Sequence, residues 1–197
     1  MTVFSSVALI HTLSSWLRGG PRRRLCRPKP ARWRSIAACR RERPRVPTAV
    51  PMPASPLHAV TNSIDIAELL GKRDGVELHL TGGQFNPWQR SLEGAQARQA
   101  IAQCQFDKLV LGACAIDPLG LTCPSGDEAA LKGAMMRQAS QVIVVADASK
   151  FGKAFLHRLC TFEGVDLLVT DTAPSAATAA ALAAVGVEVV LAGTAAQ

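Results

Sequence analysis

Residues Asp107 to Gly152 read DKLVLGACAIDPLGLTCPSGDEAALKGAMMRQASQVIVVADASKFG, and this stretch decides the fold. KLVLGA and VIVVAD are continuous apolar runs of strand length, the pattern of parallel strands covered on both faces. EAALKGAMMRQA between them reads as a helix, so the stretch is one strand–helix–strand unit of an α/β sheet. In open sheets of this kind ligands bind outside the carboxyl ends of the strands, and Asp117, Asp147 and Lys150 all stand just past such ends. Asp147, Ser149 and Lys150 place an acid, a hydroxyl and a lysine in one turn, a set that can hold a polyol and its phosphate. The same residues also serve in turns where Asp147 or Ser149 caps local backbone and Lys150 is solvated.

Outward from this unit the chain alternates strand and helix patterns from Pro56 onward, the mark of a mainly parallel sheet with helices on its faces. LHAVT runs into Thr61-Asn62-Ser63, and IDIAELLG is a helix whose glycine, Gly71, suits a C-terminal cap. VELHLT ends at Gly82-Gly83, and QFNPWQRSLEG reads as a loop. AQARQAIAQC is a helix, DLLVTD and VEVVLA are strands, and SAATAAALAAVG is an alanine-rich helix between Pro174 and Gly186. Ser125 and Glu128 have the spacing of a capping box, and the N-terminus of that helix favours an anion in the loop before it. Lys132 lies about two turns further in, where it either reaches such an anion or pairs with Glu128 on a solvated face. Thr61 and Asn62 are open between turn chemistry and ligand contact. Gly82 and Gly83 are open between close approach to a ligand and a simple turn.

The average composition hides a seam. The 197 residues, 48% hydrophobic and 19% charged, suit one globular domain. Residues 1–58, however, hold twelve Lys or Arg against one acid, Glu42, while residues 59–197 hold ten basic and fourteen acidic residues, so the net +7 divides into +11 and −4. The basic pI therefore belongs to the N-terminal segment and says nothing about nucleic-acid binding by the folded part. That segment also carries eight of the twelve prolines and is expected to be mostly disordered, with a short helix open to residues 2–17. Those sixteen residues fall short of a membrane span, and the positive charges follow the apolar run, the reverse of a secretory signal. The six cysteines show neither a CxxC pair nor a zinc spacing with histidine, which indicates a reduced, cytoplasmic protein with no metal site. Cys114 is read as core filler.

Six segments together carry a resemblance: VTNS at 60–63, LTGG at 80–83, the G-x-x-x-I-D-P-x-G-L-T run at 112–122, EAALK at 128–132, ADASKFG at 146–152 and VDLLVTD at 165–171. In order and spacing this resembles the C-terminal sensor domain of DeoR-type bacterial transcriptional regulators, across roughly residues 56–192. The resemblance implies a Rossmann-like α/β fold akin to phosphosugar isomerases and CoA-transferases, a phosphorylated sugar or related metabolite as effector, and a homo-oligomer. It implies no cofactor and no membrane. It also implies an effector site of Thr61, Asn62, Gly82, Gly83, Asp117, Lys132, Asp147 and Lys150, with Lys132 and Lys150 neutralising phosphate and Asn62, Asp117 and Asp147 engaging hydroxyls.

Two departures from the family pattern shape what the resemblance implies. Complete members begin with a winged helix-turn-helix, and their sensor domain opens with a strand, an Asp-x-Gly-Ser/Thr-Thr phosphate loop and a helix. Residues 1–55 contain neither, and their Arg- and Pro-rich composition reads like a coding region in the wrong frame. On this reading residues 56–197 are a sensor domain lacking its first strand and phosphate loop, and DNA is contacted only through a helix-turn-helix this chain does not contain. Locally, Cys114, Ala115 and Ser125 stand where the family commonly has a small or acidic residue, glycine and aspartate. A sugar-phosphate isomerase and a non-functional product are the two alternatives, the first because related isomerases place an acid and a lysine much as Asp117 and Lys132 are placed.

Overall fold

Short local rules build most elements of this computed structural model, which describes residues 57–192 and the backbone of residues 7–12. Strand β1 (Val7–Thr12) is followed by β2 (Leu57–Thr61) and helix α1 (Ile64–Leu70). Ser63 caps α1 by accepting a hydrogen bond from the Ile66 N–H, and Gly71 closes its far end. Strand β3 (Val76–Leu80) then leads to a hairpin of β4 (Gln84–Asn86) and β5 (Ser91–Glu93), helix α2 (Gly94–Ala102) and strand β6 (Phe106–Gly112). Short strands β7 (Ala115–Asp117) and β8 (Gly120–Cys123) precede α3 (Gly126–Gln138) and β9 (Ala139–Ala146). The chain continues through β10 (His157–Cys160), β11 (Leu167–Thr170), α4 (Ala176–Ala184) and β12 (Glu188–Leu191). Ser175 caps α4, and Gly186 turns the chain after it with φ +77°.

The main sheet has seven strands in the order β12-β11-β9-β6-β1-β2-β3. Its strand pairs are parallel except at β1, which runs antiparallel to both β2 and β6. Leu109 and Leu111 of β6 and Leu168 of β11 alternate with less buried neighbours, whereas β9 is buried continuously from Val142 to Val144. Leu109, Leu111, Val142, Val144 and Leu168 meet Ala97 and Ile101 of α2 and Leu131 and Met135 of α3 in one apolar core. The Leu57, Ala59 and Leu78 side of β2 and β3 faces the other way, toward α1, where Leu78 lies 3.7 Å from the position a Cβ on Gly71 would take. Helices thus cover both faces, and the expected Rossmann-like α/β class holds. β7, β8 and β10 form a separate three-stranded antiparallel sheet, joined to the turn after β9 by the pairing of Ile116 with Phe151.

Three expectations need correction. The short helix open to residues 2–17 is instead strand β1 at Val7–Thr12, a V-A-L-I run that pairs on both sides in the sheet interior. The remainder of the segment expected to be disordered, residues 1–6 and 13–56, lies outside the described residues. QFNPWQRSLEG is a hairpin, closed at Arg90 by a left-handed backbone with φ +50°. Ser125 is the N-cap of α3, yet its side chain makes no cap bond and the capping box is not formed, because Glu128 turns inward.

Leu9 pairs with Val60 on one side and Leu109 on the other. Leu9→Pro deletes its N–H inside the sheet and leaves a carbonyl unpaired, a loss of about 1–3 kcal/mol. Urea unfolding of the full chain should show a lower midpoint, and an unchanged midpoint would mean that β1 adds nothing to stability.

Candidate functional site

A lysine buried to 2% exposure sits beneath the carboxyl end of β6. Lys132 donates to the Gly112 carbonyl at 3.0 Å and to Cys114 Sγ at 3.1 Å, and pairs with Glu128 Oε1 at 2.8 Å. An ammonium has three protons, so all three are engaged. Glu128, 4% exposed, accepts further from Gln89 Nε2 at 3.1 Å and from Cys114 Sγ at 2.9 Å. The i, i+4 pair anticipated between Glu128 and Lys132 therefore exists, but it is buried, and Gln89 links it to the β4–β5 hairpin.

Burial on its own would lower the affinity of Lys132 for its proton. The negative charge of Glu128, followed by Cys114 and Cys123, outweighs burial and holds Lys132 above its ordinary value of 10.5. Cys114 and Cys123 stand opposite one another where β7 and β8 continue, and their mutual hydrogen bond, set against burial and helped by Lys132, keeps Cys114 below the usual thiol value. The same bond and burial push Cys123 up. Cys114 Sγ, Cys123 Sγ and a Glu128 oxygen lie within 4.8 Å of one another, a donor set that zinc can take. Lys132 already touches two of the three, so the cationic position there is held by the lysine.

The other expected residues lie at or near the carboxyl edge of the parallel strands, and most make local bonds. Thr61 is fully buried, and its Oγ1 accepts from the Ser63 N–H at 3.1 Å. Asn62 donates to the Leu92 carbonyl at 3.2 Å, while its Oδ1 is a buried oxygen with no partner among the described residues. Gly83 has φ +111°, and a Cβ there would come within 2.4 Å of the Glu93 carbonyl, so its glycine serves the approach of the hairpin. Gly82 also turns with positive φ, beside Gln96. Asp117 accepts from the Leu119 N–H at 2.7 Å in the β7–β8 turn, and Asp147 accepts from the Ser149 N–H at 2.7 Å. Burial opposes ionisation of Asp147, but the Ser149 bonds and then Lys150 and Lys153 prevail and hold it below the usual carboxylate value. Asp171 accepts from the Ala148 N–H at 2.8 Å, so two aspartates order the turn that carries Lys150. Lys150 is half-buried there and makes no ion pair among the described residues. A cavity of about 310 Å³ lies elsewhere, between Phe85–Pro87 of the hairpin and Asp127 of α3.

Sequence reasoning did not foresee the roles of Gln89, Cys114 and Cys123. Gln89 stands 39 residues from its partner Glu128, beyond any local spacing rule. The cysteine pair was in principle visible, since strands β7 and β8 around Pro118-Leu119 bring positions 114 and 123 into register.

Residues 48–172 match the DeoR C terminal sensor domain, and the chain belongs to the DeoR family. It is 38% identical over 136 residues to a protein of Escherichia coli O157:H7 named for transcriptional repression of the aga operon, covering 68% of this chain and 51% of that protein. It is 33% identical over 132 residues to the HTH-type transcriptional repressor GlcR of Bacillus subtilis, covering 67% and 51%. With the HTH-type transcriptional regulator GlpR of Haloferax volcanii it shares 37% identity over 132 residues, covering 66% and 51%. The chain spans about half the length of these relatives. These relatives are named as regulators and the matched region is a sensor domain, so the isomerase alternative is set aside. No helix among the described residues is long and apolar enough to cross a membrane.

Lys132→Met leaves Glu128 buried without its counter-ion and should cost about 3–5 kcal/mol of unfolding free energy, whereas Lys132→Met with Glu128→Gln should recover much of that. Urea titrations of the single and double variants measure both. The folded chain also holds the Lys132 proton more tightly than the unfolded chain. This contribution is complete below pH 10.5 and is lost as pH rises through the higher folded value. The single variant should show a shallower loss of stability on the alkaline side than the parent, and equal slopes would contradict the assignment.

Proposed function

We propose that the domain senses a phosphorylated sugar at the carboxyl edge of β2, β6, β9 and β11, within a cytoplasmic, homo-oligomeric regulator that contacts DNA through a helix-turn-helix. The observation that carries the reading is Asn62 Oδ1, a buried acceptor with no partner among the described residues, at the carboxyl end of β2. Buried polar atoms are ordinarily paired, and a ligand hydroxyl supplies what this one lacks. Lys150, on a turn ordered by Asp147 and Asp171, offers the cation for phosphate. Lys132 acts from beneath, because its protons are engaged with Gly112, Cys114 and Glu128. It fixes the strand end and α3 against each other and so shapes the floor of the site. Asp117, Thr61, Gly82 and Gly83 set the loops around it.

The division of labour separates the two lysines experimentally. A thermal-shift panel of hexose and hexosamine phosphates, with the unphosphorylated sugars and inorganic phosphate as references, should contain a ligand that stabilises the full chain by about 2.7 kcal/mol at a hundred times its dissociation constant. Lys150→Ala should abolish that shift at little cost to the unliganded protein, and Asn62→Ala should abolish it while also losing the bond to the Leu92 carbonyl, a cost of about 1–3 kcal/mol. A panel in which no phosphorylated sugar exceeds inorganic phosphate would remove the sugar-phosphate reading.

A further inference from the structure

Away from the effector edge, the sheet carries a second constellation that the sensor reading does not use. His58 on β2 is the register partner of Glu77 on the edge strand β3, and His79 follows two residues after Glu77 on the same face. His58 Nδ1 stands 3.1 Å from Glu77 Oε2, and His79 Nε2 stands 3.0 Å from Glu77 Oε1. The three side chains lie on the face turned away from α1, and those of Glu77 and His79 are more than half exposed at 59% and 57%. We propose that His58, Glu77 and His79 form a binding site for one divalent transition-metal ion of the zinc class, which clips β2 to the edge strand β3.

The donor set is the first argument. Two imidazole nitrogens and one carboxylate are the ligands of open zinc sites, with water in the fourth position, and the exposure of this cluster leaves that position to solvent. Spacing is the second. Zinc bonds of about 2.0–2.2 Å in tetrahedral geometry put ligand atoms about 3.3–3.6 Å apart. Each imidazole already lies 3.0–3.1 Å from one of the two Glu77 oxygens, and one ligand atom from each of the three residues falls within 4.8 Å of the others. The ion replaces the protons that now link each imidazole to the carboxylate, and only side-chain torsions need adjust. The third argument is competition. At the Cys114, Cys123 and Glu128 cluster a buried ammonium occupies the centre, whereas no Lys or Arg pairs with Glu77 among the described residues. Copper(II) would bind such nitrogen donors more tightly still, so zinc is the stringent probe. β2 and β3 run directly into Thr61-Asn62-Ser63 and Thr81-Gly82-Gly83, so the clip lies at the base of two loops of the effector edge.

The test is zinc chloride titrated into the chelator-treated full chain, read by calorimetry, thermal shift and zinc-edge X-ray absorption. The expected result is one equivalent of zinc, a raised melting temperature, and a first shell of nitrogen and oxygen at about 2.0–2.1 Å. His79→Gln, which keeps the side chain's size and polarity at an exposed position, and His58→Ala should each weaken binding about a hundredfold or more, since even outer-shell changes cost about 10–100-fold. Circular dichroism on each variant confirms that its fold is retained. A sulfur scatterer at about 2.3 Å, an affinity unchanged in the two variants, or no uptake at all would each overturn the proposal.

Discussion

A buried ammonium group constrains the carboxyl edge of this domain. Removing Lys132 from water is unfavourable by several kcal/mol unless every proton finds an acceptor and a counter-charge lies close. Those acceptors come from three places in the sequence: the end of β6 at Gly112, the following loop at Cys114, and the same helix at Glu128. Glu128 in turn needs its second oxygen satisfied, and Gln89 of the hairpin meets that need. The strand end, α3 and the hairpin are therefore fixed relative to one another by the requirement that no charge be left uncompensated. The same requirement explains why the capping box fails to form, since a Glu128 side chain cannot both return to the helix start and answer Lys132.

Around this fixed point the effector edge divides into residues that build and residues that remain available. Asp117, Asp147 and Asp171 all accept backbone N–H groups and order the turns in which they sit. Gly83 admits the hairpin backbone at a distance no side chain would tolerate. Lys150 and the oxygen of Asn62 are left without protein partners among the described residues. In the proposed reading ligand contact falls to these two on that ground, and the aspartates act through the geometry they impose.

Much of this was legible in the sequence because parallel strands and capped helices have local signatures. KLVLGA and VIVVAD became β6 and β9, Gly71 closed α1 and Gly186 followed α4 as their type suggests. The six motif segments led to the family. The burial of the Glu128–Lys132 pair was not legible, because spacing places two residues on one helix face without saying whether that face meets water. The hairpin at Gln84–Glu93 was missed for a related reason: its strands have three residues each, too few to show a period, and its turn uses a left-handed Arg90 in place of glycine. The strand at Val7–Thr12 lay in a segment whose overall composition favours disorder, and composition averages over a short apolar run.

The direction of that strand has a consequence for the ligand edge. Six strands of the main sheet point their carboxyl ends one way, and β1, running against β2 and β6, presents its amino end there instead, with Ala8 beside Thr61 and Val7 beside Leu111. Backbone hydrogen bonds fill an interior position of a sheet equally well in either direction, so the sheet is made continuous without regard to polarity. A strand in that direction receives the chain at the rim where its parallel neighbours β2 and β6 send theirs out. Continuity of the sheet and the direction of each strand within it are thus separate properties.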